Sequence, residues 1–287
     1  MNHDYKWRWA HVDLSDRSHR YVAILNQLRP DDDPENFPNT LSWIDAQPGE
    51  RILEVGCGNG AVARAVAHAV PGIQGVVAVD ASVQMIAEAQ RRADGSVPVT
   101  FQVADAHDLP FPDGYFDRCY SMETFVILSD PYRAFLESVR VLRPGGLLCV
   151  WESDCDVRAM QASDLDLSRR LMRFVGDREF NGAVGRQLIA WLKDLRWEVE
   201  VMPAVSVGDG KAPLTNWLLD EWLADAVEAA VVTAEESDSF LAEMRAKQAN
   251  GSFFSYTVNF RITARKPEAS RQEAVRWKSL RDRQVLR

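Results

Sequence analysis

Residues 51–60 of the chain read RILEVGCGNG, and this stretch decides the fold class. Residues 51–55 have the length and apolar content of a short buried strand, and the alanine-rich residues 61–70 have the composition of a helix. The glycines between them allow backbone torsion angles that side chains forbid, and they allow a ligand to approach the backbone closely. The stretch therefore predicts a strand, a glycine loop that is either a ligand site or an ordinary tight turn, and a helix.

Strand and helix patterns continue to alternate along the chain. Strands are predicted over residues 51–55, 75–80, 99–103, 116–120, 147–151, 197–205 and 253–264. Helices are predicted over residues 61–70, 83–92, 131–142, 163–176 and 184–195, with two more between 213 and 249. Short apolar strands that alternate with helices predict an α/β fold: a Rossmann-like, seven-stranded, mostly parallel sheet with helices on both faces.

Additional segments flank and interrupt this predicted core domain, which spans residues 46–267. An N-terminal helical segment over residues 1–45 is expected to act as a lid, and a helical insert at about 206–250 separates strands six and seven. Residues 268–287 are predicted to form a polar helical tail. Because ligands bind at the carboxyl edge of open α/β sheets, we expect the lid and the insert to cover that edge.

The composition argues against several classes of protein. The net charge is −9, and the basic residues of the tail are mixed with acidic ones, so we expect no nucleic-acid partner. No stretch resembles a signal peptide or a membrane-spanning segment, so we expect no membrane partner. The 4 cysteines form no CxxC pair, which predicts buried free thiols, a reducing cytoplasmic compartment and no metal site.

The glycine loop fits two kinds of cofactor site. Gly56-x-Gly58-x-x-Ala61 satisfies the dinucleotide fingerprint, and Asp80 ends the second strand at the matching distance. A carboxylate there can accept from both hydroxyls of a ribose, whether the ribose belongs to NAD or to S-adenosylmethionine (SAM). Ser82 is the better cap for the next helix, which leaves Asp80 available to a ligand.

Three features favour SAM over NAD. Glu54 lies two positions before the first glycine, where a carboxylate can meet a cationic amino-acid group but repels a pyrophosphate. Asp105 follows the third strand and can accept a hydrogen bond from an adenine amine. The chain also ends with a strand, a helical insert and a strand instead of a second mononucleotide-binding half.

These residues lie in a series of motifs. The motifs are RILEVGCGNG (51–60), VVAVDAS (76–82), VADAHDLPFPDGYFD (103–117) and RVLRPGG (140–146). In their order and spacing the sequence resembles the class I SAM-dependent methyltransferases, particularly the ubiquinone/menaquinone-biosynthesis-like (type 11) group. The resemblance covers about residues 50–152 and implies that the core domain is a SAM-dependent methyltransferase domain.

The resemblance also implies roles for the matching residues. The three glycines border the methionine part of SAM, Asp80 binds the ribose, and Asp105 with Ala106 flanks the adenine. Ser121, just past the fourth strand, lies beside the sulfonium. The predicted cofactor-binding residues are Glu54, Gly56, Gly58, Gly60, Asp80, Ala81, Asp105, Ala106 and Ser121.

Catalytic residues are not predicted by any motif, because methyl transfer from a sulfonium depends chiefly on in-line positioning and a general base is optional. Many relatives carry a histidine after strand four, but residues 121–131 of this chain contain none. Glu123 and Glu152 are therefore the candidate bases, although each also suits a helix cap or a surface salt bridge. His107 is a further candidate for ligand contact.

The sequence thus predicts a SAM-dependent methyltransferase with a small, partly apolar acceptor that is methylated on oxygen, nitrogen or carbon. One alternative is a SAM-binding protein of this fold that transfers no methyl group, and a remote one is an NAD-dependent oxidoreductase. Trp151 is expected in the acceptor pocket, and Trp217 and Trp222 could roof it. The acidic residues that alternate over 152–156 are interpreted as a polar loop and not as a divalent-metal site.

Overall fold

The computed structural model describes residues 12–14, 18–29, 32–178, 181–208 and 213–268. Within these ranges the strands are β1 (Arg51–Val55), β2 (Gly75–Asp80), β3 (Val99–Val103), β4 (Phe116–Met122), β5 (Leu142–Met160), β6 (Glu198–Gly208) and β7 (Ser255–Arg265). The α-helices are α1 (Ser18–Leu28), α2 (Pro38–Ile44), α3 (Ala61–Ala69), α4 (Val83–Arg92), α5 (Pro131–Val141), α6 (Leu165–Arg178), α7 (Val184–Asp194), α8 (Pro213–Glu228) and α9 (Ala234–Asn250). Short 3-10 helices cover Val12–Leu14, Pro34–Asn36 and Phe125–Ile127.

The strands form one seven-stranded sheet in the order β3-β2-β1-β4-β5-β7-β6. Strands β1 to β5 are parallel, and β7 is antiparallel to both β5 and β6. The predicted mostly parallel sheet is therefore confirmed. The chain runs outward from β1 to β2 and β3, and it then returns to start the other half of the sheet at β4. The loops after β1 and β4 diverge at such a reversal, which leaves a crevice at the carboxyl edge.

Helices cover both faces of this sheet, as predicted. Ile52 and Leu53 are neighbours on β1, and successive strand side chains point to opposite faces. Ile52 belongs to the apolar cluster that includes Val66 of α3 and Ile86 of α4. Leu53 belongs to the opposite cluster, which joins the sheet to α5 and α7. The short strands of this sheet are apolar because both of their faces are buried in this way.

The helical insert between β6 and β7 consists of α8 and α9. These two helices share a third apolar cluster with α6, which includes Leu171, Leu219 and Phe240. A capping box fixes the start of α9, because the hydroxyl of Thr233 accepts from the backbone of Glu236 and the Glu236 carboxylate accepts in return. Helix α1 packs against both α8 and α4, so the N-terminal segment and the insert meet.

Strand β5 is much longer than predicted. The sequence indicated a strand over residues 147–151 followed by a polar loop, but β5 continues to Met160, because β7 pairs with it as far as Asp154 and, after an irregularity, again at Ala159 and Met160. Asp154 and Asp156 therefore lie on a strand, and both form ion pairs with Arg186 of α7. The hydrogen bonds between β5 and β7 satisfy backbone groups of this stretch. This gain outweighs the low strand propensity of its polar residues.

Some of the predicted features cannot be compared with the structure, because they fall outside the described residues. Residues 1–11 of the predicted lid, residues 269–287 of the predicted tail and the Trp217 side chain lie outside them. No helix that the structure describes is both long enough and apolar enough to cross a membrane. Over the same part of the chain, no group of His, Cys, Asp or Glu side chains is arranged to hold a metal ion.

Candidate functional site

A cavity of about 690 Å³ lies at the carboxyl ends of β1, β2 and β4. Its floor includes the glycine loop after β1 and the residues that follow β2 and β3. Val12, Leu25 and Leu28 of the N-terminal segment also line it, so that segment covers the cavity on one side. This volume falls within the range of about 300–1,000 Å³ that is typical of ligand and cofactor sites.

The glycine loop is tied to the end of β2. The backbone N–H groups of Gly56 and Cys57 both donate to the carbonyl of Val79, at 2.8 and 2.9 Å. Gly56 has a φ of +77°, and a Cβ at this position would overlap the Thr124 side chain. Glycine is therefore required at position 56 both for the backbone conformation and for the close approach of the loop that follows β4.

Asp80 lies at the end of β2 and lines the cavity. Its Oδ2 accepts from the backbone N–H of Gly58 at 2.9 Å, and its Oδ1 accepts from that of Ser82 at 2.9 Å. Burial raises the pKa of Asp80, although these two hydrogen bonds lower it. The hydroxyl of Ser82 caps α4 by accepting from Met85 N, as predicted. Asp80 is thus a structural acceptor already, but each carboxylate oxygen keeps further acceptor capacity toward the cavity.

Asp105 and Ala106, after β3, line the same cavity, and His107 lines it beside them. The Asp105 carboxylate accepts from the backbone N–H of His107 at 2.8 Å and lies 2.6 Å from its Nδ1. Partial burial raises the pKa of Asp105, but the contacts with His107 outweigh it and hold the pKa below its usual value. The His107 ring also accepts from the backbone N–H of Asp130, at 3.3 Å from Nε2. These contacts fasten the loop after β3 to the start of α5.

Three of the predicted cofactor residues do not line the cavity. Ser121 lies within β4 and donates to the Val55 carbonyl at 3.0 Å, so its hydroxyl is used inside the sheet. Gly60 is the N-cap residue of α3 and has a φ of +72°, and a Cβ there would overlap the Phe101 ring, so Gly60 allows close packing against β3. Glu54, the third, is not among the residues that line the cavity. Gly56, Gly58, Asp80, Ala81, Asp105 and Ala106 do line it.

Glu54 is a buried residue of β1. The hydroxyl of Tyr120 donates to its Oε2 at 3.0 Å. Burial raises the pKa of Glu54 to about 8, although Arg29 and the bond from Tyr120 lower it. A carboxyl group with this pKa is mostly protonated at neutral pH, and a cationic group placed beside it would lower the pKa and favour the ionised form.

The two candidate bases have different surroundings. Glu152 is fully buried and accepts from the backbone N–H groups of three successive residues after β4, at 2.8 to 3.2 Å. Burial and the neighbouring Glu123 raise the pKa of Glu152, although these three donors lower it. Glu152 therefore caps the 3-10 helix at Phe125–Ile127. Glu123 lines the cavity and has a φ of +55°, an uncommon conformation for a residue other than glycine. Its Oε1 accepts from the hydroxyl of Ser153 at 2.7 Å.

Trp151 and Trp222 were expected at the acceptor pocket, but neither lines the cavity. Trp151 lies on the opposite face of β5 from Glu152, where it packs edge-on against Trp43 at 6.2 Å and does not line the cavity. Strand alternation explains this position, since neighbouring residues face opposite ways. Trp222 lies in the cluster of α6, α8 and α9, and the guanidinium of Arg158 stacks over its ring at 5.3 Å.

Two arginines of the cavity lining were not singled out from the sequence. Arg29 follows α1 and lies beside the glycine loop, where its backbone carbonyl accepts from the Asn59 side chain at 3.3 Å. Arg158 lies on the unpredicted part of β5 and lines the cavity from the other side. Arginine is common on protein surfaces, so neither residue carries a sequence signal of its own.

Comparisons with known proteins agree with this geometry. Residues 53–150 match the family described as "Methyltransferase domain". The chain is 33% identical over 247 residues to the "Uncharacterized 37.1 kDa protein in transposon TN4556" of Streptomyces fradiae, an alignment that covers 85% of this chain and 70% of that one. It is 36% identical over 109 residues to the 27-O-demethylrifamycin SV methyltransferase of Amycolatopsis mediterranei, but this alignment covers only 37% of this chain and 40% of that enzyme.

Solved structures share the fold. The phosphoethanolamine N-methyltransferase 2 of Haemonchus contortus, solved in complex with S-adenosyl-L-methionine, superposes with a TM-score of 0.59 at 21% identity. The superposition covers 90% of this chain and 60% of that one. At this identity the likeness concerns the architecture of the sheet and its helices.

Proposed function

Since the chain belongs to the class I SAM-dependent methyltransferases, we propose that it transfers the methyl group of SAM to a small molecule held in the cavity above β1 and β4. The family assignment removes the NAD-dependent alternative that the glycine spacing left open. The observation that carries the proposal is the grouping of Gly56, Gly58, Asp80 and Asp105 in one cavity at the reversal of strand order. Ligands bind at this position in open α/β sheets.

The residues that line the cavity fit the chemical groups of SAM. Asp80 would accept from the ribose hydroxyls through the acceptor capacity that Gly58 and Ser82 leave unused. Asp105 and Ala106 would flank the adenine. Arg29 forms no ion pair within the part of the chain that the structure describes, and it lies close enough to Glu54 to lower the pKa of that group. Arg29 is therefore suited to the carboxylate of the methionine moiety.

The bound cofactor supplies an electrophilic methyl group on a sulfonium. The chain supplies the position of the acceptor and a place for its proton. Glu123 lines the cavity, and its carboxylate is held by the hydroxyl of Ser153. We propose that Glu123 accepts the proton of an acceptor hydroxyl or amine. Its left-handed backbone conformation fits this role, because such strain persists chiefly where the surrounding structure holds a residue for function.

Glu152 contributes to this arrangement without touching the cavity. It accepts from the backbone N–H groups of Thr124, Phe125 and Val126, which follow Glu123 directly. These three hydrogen bonds fix the segment that carries Glu123. Glu152 is therefore a positioning residue in the proposal, while Glu123 is the catalytic one.

The experiment measures release of S-adenosylhomocysteine (SAH) from SAM with a panel of small-molecule acceptors. Glu123→Gln is expected to lower kcat by about 10²–10⁴ with the acceptor found, because a general base contributes about that much. SAH affinity, measured by calorimetry, is expected to stay unchanged. Glu243→Gln is the matched control, because the Glu243 carboxylate also accepts from a serine hydroxyl, at 2.8 Å, but lies on α9 away from the cavity.

The outcomes separate the remaining alternative from the proposal. SAH binding without turnover of any acceptor favours a SAM-binding protein that transfers no methyl group. Turnover that Glu123→Gln leaves unchanged would retain the methyltransferase and remove Glu123 as the base. No SAH binding at all would overturn the proposed function.

A further inference from the structure

Arg158 connects the proposed cofactor cavity to a second cavity. The second cavity, of about 750 Å³, lies between the far end of β5 and α6. Cys155 and Arg158 line both spaces, so the two cavities adjoin at these residues. Glu123 also lines the proposed cofactor cavity, so a molecule at the junction of the two cavities extends toward the proposed base.

The guanidinium of Arg158 lacks a hydrogen-bond acceptor for one of its buried nitrogens. Nη1 is inaccessible to solvent and has no partner, and Nη2 contacts only the Cys155 sulfur, at 3.9 Å. No carboxylate of the described residues forms an ion pair with Arg158, whose guanidinium stacks over the Trp222 ring at 5.3 Å. A buried donor without an acceptor is costly, and more so when it belongs to a charged group.

Four other arginines with largely buried side chains are paired within the part of the chain that the structure describes. Each of them forms an ion pair with a carboxylate: Arg64 with Asp32, Arg118 with Glu50, Arg140 with Glu137, and Arg178 with Asp225. Arg261 resembles Arg158, because its buried Nε also lacks a hydrogen-bond partner among the described residues and its guanidinium lies over the Trp151 ring at 4.4 Å, but Arg261 lines neither cavity. Arg158 differs from Arg261 in that it lines both cavities, where a molecule from outside the chain can supply an acceptor.

The walls of the second cavity combine apolar surface with positive charge. The apolar and aromatic part consists of Met160, Leu165, Met172, Phe254 and Tyr256. Arg169 and Arg173 lie on the α6 side. The acidic lining residues are already engaged, because Asp156 pairs with Arg186 and Asp177 with Arg173 at 3.8 Å. An anion in the second cavity would therefore lie near arginine side chains, and both carboxylates of the lining are already in ion pairs.

We propose that the acceptor is an acidic molecule, with an oxyanion bound by Arg158 and an apolar or aromatic body in the second cavity. The inference rests on the proposed function, and it names the substrate class of the same site. A carboxylate or a phosphate supplies the planar or branched oxygens that a guanidinium binds through paired hydrogen bonds. Binding at Arg158 orients the acceptor, and Glu123 receives its proton in the adjoining cavity.

The test uses three matched probes: 3-phenylpropanoate, its neutral amide 3-phenylpropanamide, and 2-phenylethyl phosphate. Their affinities are measured by calorimetry with the full chain saturated with SAH. The wild-type protein is expected to bind at least one of the two anions about tenfold or more tightly than the amide, since a charge-assisted pair is lost with the amide. The better of the two anions identifies whether the oxyanion is a carboxylate or a phosphate.

Arg158→Gln is expected to remove this preference and to leave SAH affinity unchanged. Arg245→Gln is the control, because Arg245 is exposed on α9 and pairs with Asp220 away from both cavities. The melting temperature of the probe-free variant is measured in parallel. If Arg158 only supports Trp222, then Arg158→Gln lowers the melting temperature and leaves the ratio of anion to amide affinity as in the wild type.

Two results would overturn the inference. Equal affinities of the wild type for the anions and the amide would remove the anion site, and so would a preference that survives in Arg158→Gln. Either result alongside intact SAH binding refutes the acidic acceptor alone. Loss of SAH binding in the wild type instead refutes the proposed function.

Discussion

Asp80→Asn tests the ribose site, because the substitution keeps the size of the side chain and removes its charge. The two carboxylate oxygens of Asp80 each accept from a backbone N–H, that of Ser82 and that of Gly58, both at 2.9 Å. Asparagine has a single acceptor oxygen, and its amide nitrogen can only donate. One of the two backbone N–H groups therefore loses its partner in the variant.

The substitution is expected to lower both the stability of the protein and its affinity for SAH. A hydrogen bond to a charged group contributes about 1.5–3 kcal/mol, so the free energy of unfolding of the cofactor-free protein is expected to fall by about this amount. SAH binding is expected to weaken by about 2–3 kcal/mol, or about 30- to 150-fold, because the ribose loses a charged acceptor and the glycine loop loses one of its hydrogen bonds to the end of β2.

Calorimetry with SAH measures the affinity, and urea denaturation measures the stability. Asp94→Asn is the matched control, since Asp94 also accepts from the backbone N–H two residues later, at 2.8 Å from Ser96, but on an exposed loop. The control is expected to leave SAH affinity unchanged. If Asp80→Asn binds SAH within about twofold of the wild type, the assignment of the ribose site is refuted.

Three further predictions concern other parts of the fold. The pKa of Glu54 is 4.5 in the unfolded chain and about 8 in the folded protein, so folding takes up a proton at any pH between these values. The free energy of unfolding is therefore expected to fall by ~5 kcal/mol as the pH rises from 4.5 to about 8. Glu54→Gln should flatten the pH profile of the unfolding free energy, and an unchanged slope would contradict the assignment. Gly60→Ala should destabilise the fold by about 1–3 kcal/mol more than Gly95→Ala in urea denaturation, because both glycines have positive φ but only Gly60 lacks room for a Cβ; equal losses would contradict this. We also expect α1 and the α8–α9 insert to act as a mobile cover, so SAH with an acceptor should slow their hydrogen exchange; high protection in the free protein would favour a rigid pack instead.

The alternation of strands and helices was predictable from the sequence with little ambiguity. Short apolar runs such as residues 51–55 and 75–80 are buried on both faces, so their composition alone identifies them. The far end of β5 was not predictable in the same way. Residues 152–156 include Glu152, Asp154 and Asp156 and belong to β5, because β7 pairs with residues 152–154 and again with 159–160 in a register that no local pattern reveals.

The candidate site divides along similar lines. Asp80 and Asp105 follow directly after β2 and β3, and the carboxyl ends of parallel strands lie at one edge, so the sequence placed both at the cavity. The sequence placed Ser121 just past β4, but β4 runs two residues further than predicted, to Met122. Ser121 therefore lies within the strand, and its hydroxyl donates to the Val55 carbonyl of β1. Glu123 and Glu152 could not be told apart in sequence, since both follow the core of a strand and both are acidic.

The sequence by itself determined the fold class, the family and the glycine–aspartate part of the cavity lining, because these depend on spacing within short segments and on strand ends that always meet at one edge. Only the tertiary structure decided which carboxylate caps a helix and which faces the cavity, and that Arg29 and Arg158 join it from distant segments. The physical reason is that burial and partner choice depend on contacts between residues far apart in the chain. Local sequence patterns carry no information about which buried charge will find a partner inside the fold and which will be left for a ligand.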